Sequence, residues 1–94
     1  MLFTKEDINR IEIKEDNGIV TVDLHGLSVT NAKRLINNLI VMNRDPFELD
    51  LIHGYNRGTA LKQMIHEDLN SNRIVKKEVL AHNLGLTKVQ LAKA

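Results

Sequence analysis

The chain contains no cysteine, no tryptophan, one proline, two phenylalanines and one tyrosine in 94 residues. Without cysteine there is no disulfide, no thiol nucleophile and no zinc site of the Cys-x-x-Cys kind, and the composition suits a reducing compartment. With aromatics at 3%, Leu, Ile and Val must fill the core. No apolar run approaches the roughly 18 residues needed to cross a bilayer. The start, Met1-Leu2-Phe3-Thr4-Lys5-Glu6-Asp7, lacks the basic segment and apolar core of a signal peptide. These absences predict a cytoplasmic protein with no membrane partner. What remains, 43% hydrophobic and 27% charged residues, is ordinary for a soluble globular domain. The length allows a single domain, read as residues 10–94 with an N-terminal extension over 1–9.

The net charge of +1 hides an uneven distribution. Residues 1–23 carry a net −3, residues 24–52 are neutral, and residues 53–94 carry +4. A modest positive surface on the C-terminal half suits an anionic polymer, although scattered lysines are more often a solvated face.

The most informative pattern is a repeated one. Val22-Asp23-Leu24-His25-Gly26 is echoed by Leu51-Ile52-His53-Gly54, each where a strand-like run gives way to a helix-like one. With 4 His and 5 Gly in the chain, chance supplies roughly 0.2 adjacent His-Gly pairs, so two at equivalent stations suggest one composite site.

The elements around these pairs follow from periodicity. Ile11, Ile13 and Ile19, Val20, Val22 flank Asp16-Asn17-Gly18, which predicts a β-hairpin over residues 10–24. Its second arm sends Val20, Val22 and Leu24 to one face and Thr21, Asp23 and His25 to the other. Ser28 or Thr30 can cap an amphipathic helix carrying Ala32, Leu35, Ile36, Leu39 and Ile40, which ends near Asn43 before Pro46. A strand from Phe47 to Ile52 follows, then a second helix opening at Thr59 with Leu61, Met64, Ile65 and Leu69. Strands around Ile74, Val75 and Val79 and around Leu86, Val89 and Leu91 complete the pattern. The first strand, helix and next strand form a short unit that fits only a parallel crossover. The predicted fold is therefore an α+β two-layer sandwich, β-β-α-β-α-β-β, with both helices on one face of a mixed sheet. Both His-Gly pairs fall at the carboxyl ends of neighbouring parallel strands, where open α/β sheets bind ligands.

Asp23 and His25, two apart on a strand, project together, and a carboxylate beside an imidazole suits a general base or acid. His53 arrives from the adjacent strand, so the two imidazoles can divide acid and base roles. Gly54, Tyr55, Asn56, Arg57, Gly58 and Thr59 form a glycine-containing loop that opens into a helix. It offers backbone N–H groups to a phosphate, Tyr55 for stacking, and Lys62 one turn on. The loop lacks the Gly-Lys-Ser/Thr end of a Walker sequence. The plain alternatives are that His-Gly marks an ordinary turn, that Asp23 and Thr59 only cap helices, and that His66 is a surface residue in a helix. His82, in a loop, is ambiguous.

Asp23-Leu24-His25-Gly26, then Ile52-His53-Gly54 through Gly58 and Leu61, then Gly85-Leu86-Thr87-Lys88-Val89-Gln90-Leu91 resemble the small MutS-related (Smr) domain over residues 19–92. The resemblance implies a compact two-layer fold similar to the C-terminal domain of a bacterial translation initiation factor. It also implies nucleic-acid binding and nicking or structure-directed endonuclease activity on DNA or RNA, of the kind used in DNA repair or recombination. By position it points to Asp23 and His25 in the first motif and to His53, Gly54 and Gly58 in the second. Asp23, His25 and His53 are the catalytic candidates, and Gly26 joins Gly54 and Gly58 as a candidate for phosphate binding. The family's usual His-Gly-x-Gly is altered here, with Asn56 at the second glycine, and its glycine-rich segment before the last strand is reduced to Gly85. A divalent ion, Mg or Mn, with Asp23 as a ligand is compatible with such chemistry. A non-catalytic DNA- or RNA-binding or ribosome-associated module is the alternative.

Overall fold

The computed structural model describes residues 3–14, 18–54, 59–80 and 83–94. The described residues form α1 (Lys5–Asn9), β1 (Ile11–Lys14), β2 (Ile19–Asp23), α2 (Val29–Met42), β3 (Phe47–Ile52), α3 (Thr59–Gln63), β4 (Ile74–Leu80) and β5 (Asn83–Leu91). Helix α3 runs directly into a wider π-helical turn, Met64–Asp68. The hairpin, the crossover and both C-terminal strands agree with the sequence reading. Helix α1 is an addition to it, lying within the stretch read as an extension.

Five strands form one mixed sheet in the order β1-β2-β3-β5-β4. Strands β2 and β3 are parallel, with Val22 opposite Leu51 and Asp23 opposite Ile52. The last strand inserts antiparallel between β3 and β4, placing Thr87 opposite both Leu51 and Val79. Alternation then sends Val20, Val22, Leu24, Leu49, Leu51, Val89 and Leu91 to one face. There they join Leu35, Ile36, Leu61, Met64 and Ile65 from the helices in one buried cluster. Burying each such side chain contributes on the order of 1.5–3 kcal/mol. The other face carries a polar row, Thr21, Asp50, Lys88 and Glu78, aligned across four strands.

Local chemistry sets the helix limits. The Ser28 side chain accepts from the Asn31 N–H and opens α2. At its far end, Arg73 donates to the carbonyls of Ile40, Asn43 and Asp45 and so satisfies the acceptors that a helix C-terminus leaves free. Helix α1 has a capping box in which Thr4 and Asp7 satisfy each other's backbone N–H. Asp7 retains only 3% of its surface and receives both terminal nitrogens of Arg34 at 3.2 Å, which ties α1 to α2. That guanidinium is the largest cause holding the Asp7 carboxyl below its ordinary pKa, against the opposing effect of burial.

The turn predicted at Asp16-Asn17 lies outside the described residues. Gly18, its neighbour, has φ +62°, the left-handed conformation that a tight hairpin requires of glycine.

Candidate functional site at the strand carboxyl ends

The carboxyl ends of β2 and β3 lie side by side. The Leu24 N–H continues the ladder to the Ile52 carbonyl at 2.8 Å. Beyond that point both chains turn on a glycine, Gly26 at φ +83° and Gly54 at φ +85°. The two His-Gly copies thus occupy equivalent stations, but their imidazoles do not share an environment.

Strand β2 ends at Asp23 and His25 stands in the turn beyond it. The two side chains meet all the same. Asp23 Oδ1 accepts the His25 backbone N–H at 3.1 Å and lies 3.7 Å from His25 Nδ1. Both are open to solvent, His25 by 78% and Asp23 by 48%. Arg10, at the end of α1, holds this turn from below. One of its nitrogens donates to the Asp23 carbonyl at 3.0 Å and to the His25 carbonyl at 2.8 Å, and the other reaches Glu6.

His53 is different. Register places it beside Leu24 on the helix-covered face, and it keeps 2% of its surface. Its Nδ1 lies 3.0 Å from the Gly54 carbonyl and its Nε2 lies 2.9 Å from the Thr87 hydroxyl. A ring with both nitrogens engaged and almost no exposed surface has no free position for a substrate atom. In this geometry His53 anchors the turn, and the paired acid and base roles expected of His25 and His53 are not laid out. Its backbone N–H and that of Gly54 both donate to the Gly85 carbonyl, at 2.9 and 3.1 Å, locking the second His-Gly turn to β5.

The sequence reading missed two residues of this region. Thr87 is completely buried on the core face of β5, a polar side chain in line with Val89 and Leu91. That interruption of a period-two apolar pattern was its sequence signal. His66, read as a surface residue, brings Nε2 to 3.2 Å from the Thr87 hydroxyl. The π turn carries it there, closed by an i to i+5 bond from the Leu69 N–H to the Met64 carbonyl at 2.7 Å. Lys77 reaches across from β4 and donates to the Leu69 and His66 carbonyls, at 2.7 and 3.4 Å.

These groups titrate in one direction. Burial, chiefly, pushes the His53 imidazole below its ordinary 6.5 against the opposing effect of its bond to the Gly54 carbonyl, and the positive charge of Lys62 adds to the lowering. Burial is also the leading cause for His66, followed by the charges of Lys77, Lys62 and His53. Lys77 is itself lowered by burial.

Thr59 is the first residue of α3, and Lys62 follows one turn in. Tyr55, Asn56, Arg57 and Gly58, and also His82, lie outside the described residues. Among the described residues no three His, Asp or Glu side chains come together as metal ligands. Asp23, which already accepts a backbone N–H, is the carboxylate of this turn, and a Mg or Mn ion held by it would take its remaining ligands from water or a bound phosphate. No described helix is long and apolar enough to cross a membrane. An apolar cleft of about 460 Å³ between Phe3, Ile13, Met42 and Phe47 opens at the other end of the strands, away from this chemistry.

Together the fold and the rim describe a small α+β domain with a polar site at the carboxyl ends of two parallel strands. No family model and no curated protein matches the chain.

Proposed function

We propose that the chain is a nucleic-acid-binding domain that cleaves phosphodiester bonds at the Asp23–His25 turn. The observation that carries this reading is the exposed carboxylate and imidazole 3.7 Å apart, with Arg10 gripping both of their backbone carbonyls. With Nδ1 turned to Asp23, the His25 Nε2 is the nitrogen left for a substrate. An Asp–His pair supplies proton transfer, and RNA asks for little more because its 2′-hydroxyl is an internal nucleophile. His25 takes the hydroxyl proton, the 2′-oxygen attacks phosphorus, and the bond from phosphorus to the 5′-oxygen breaks. The 5′-oxygen leaves with a proton from solvent, giving a 2′,3′-cyclic phosphate and a free 5′-hydroxyl. The resemblance of Asp23-Leu24-His25-Gly26 to the Smr motif supports the same assignment.

A second reading is favoured by the openness of the rim. His25 is 78% exposed, which suits a module that binds a polymer without cutting it. A panel of RNA, single-stranded DNA and branched DNA, incubated with and without a divalent ion, separates the two. Cleavage of RNA in a chelator that disappears in Asp23→Ala supports catalysis. Salt-sensitive binding with no product on any substrate supports the module, since counterion release makes backbone binding fall steeply with salt.

A further inference from the structure

Hydrogen bonding fixes the direction of every proton in the buried cluster. The Gly54 carbonyl can only accept, so neutral His53 donates to it from Nδ1 and presents a bare Nε2. The Thr87 hydroxyl must therefore donate to His53 Nε2, which leaves its oxygen to accept from His66 Nε2–H. The chain of donors runs His66 to Thr87 to His53 to Gly54. Its open end is His66 Nδ1, a lone pair that meets no hydrogen-bond donor among the described residues.

This end can gain a proton without cost to the network. Protonation of His53 would remove the acceptor of the Thr87 hydroxyl, whereas protonation of His66 at Nδ1 leaves all three bonds in place. The charges around His66 are of one sign. Lys62 lies one turn before it on the same helix and forms no ion pair among the described residues, and Lys77 faces it from β4. Glu67 and Asp68, next in the chain, are exposed, and Glu67 is engaged by Gln63. A cluster of like charges that no carboxylate neutralises is relieved by an anion.

We propose that Lys62 and His66 form an anion subsite for a phosphate group on the helix side of the rim, with His66 Nδ1 taking up a proton as the anion binds. The proposed function names the polymer to which that phosphate belongs, a nucleic acid backbone. The subsite itself rests on the cluster. Asp23 and His25 cleave on this view, while Lys62 and His66 hold.

The sign of the linkage is definite. An anion favours the protonated imidazole, so binding is tightest below the free pKa of His66, itself below 6.5. Affinity falls as pH rises through the free and then the bound value, and is flat above both.

The test is an NMR titration of the His66 ring with and without sulfate, and again with a short single-stranded oligonucleotide. Neither probe changes charge as an imidazole titrates, unlike a phosphate monoester with its second pKa of about 6. The expected result is a rise of about one unit in the His66 pKa with either probe, equivalent to roughly tenfold tighter binding by the protonated form. His66→Gln retains an N–H donor for Thr87 but cannot titrate, so its sulfate affinity loses most of the wild-type fall with pH. Lys62→Gln, at a site that supports no other described contact, weakens binding severalfold at every pH.

A His66 pKa unmoved by saturating sulfate and oligonucleotide overturns the subsite. So does a His66→Gln protein that keeps the wild-type pH dependence. If the oligonucleotide binds while His66 stays unshifted, the subsite falls and the nucleic-acid reading stands. If sulfate shifts His66 but no oligonucleotide binds, the subsite stands and the polymer reading falls.

Discussion

The Thr87 hydroxyl lies 2.9 Å from His53 Nε2, inside the protein, and joins the last strand to the turn that closes β3. This bond explains a buried polar residue on an otherwise apolar face. Thr87→Val keeps the shape of the side chain but leaves His53 Nε2 without a donor and His66 Nε2–H without an acceptor. The expected loss is about 1–3 kcal/mol, the usual consequence of an unsatisfied buried group. Thr87→Ser keeps the hydroxyl and should lose less. Denaturant unfolding of the two variants against wild type checks the difference.

The same cluster predicts how stability responds to acid. Folded His53 and His66 titrate below 6.5, so the unfolded chain takes up protons that the native state refuses. Stability therefore falls as pH drops from the ordinary imidazole value, and the decline ends once pH passes below the native values. In His53→Gln one of these groups is gone, and the loss between neutral and mildly acid pH should be shallower. Thermal unfolding across that range reads the slope. An equal slope in the variant would remove His53 from the account.

Arg10 is a positioning residue in this account, because it touches the backbone of Asp23 and His25 and not their reactive atoms. Arg10→Lys cannot span two carbonyls with the same planar group. The turn then loses its support while the hairpin stays paired. Cleavage should slow by about tenfold to a hundredfold, the scale of a small misplacement of catalytic groups, with the Michaelis constant changed far less. Full-rate turnover by Arg10→Lys would show that the turn holds its own geometry.

The fold was legible wherever local chemistry decides it. Ser28, the apolar stripe from Ala32 to Ile40, and Pro46 delimit α2 in sequence as in space, and alternation separated buried Val20, Val22 and Leu24 from Thr21, Asp23 and His25. What was hidden depends on partners far away in the chain. The insertion of β5 between β3 and β4 rests on pairings such as Leu51 with Thr87, which no local pattern encodes. Helix α1 spans five residues, too few for periodicity, although Thr4-Lys5-Glu6-Asp7 has the spacing of a capping box. The site was half visible. Spacing brought Asp23 to His25, but only the sheet register puts His53 on the covered face, and only a π turn carries His66 to Thr87.

The central claim is that His25 moves the proton in phosphodiester cleavage. The most direct measurement is the single-turnover rate on a single-stranded RNA, in a chelator, for wild type and His25→Ala. The exposed position of His25 means that the variant should fold and bind normally. The expected result is cyclic-phosphate product from wild type and a rate at least about a hundredfold lower in the variant, the usual scale of a lost general base. Equal rates in the two proteins, or the same trace activity in both, would contradict catalysis by this turn.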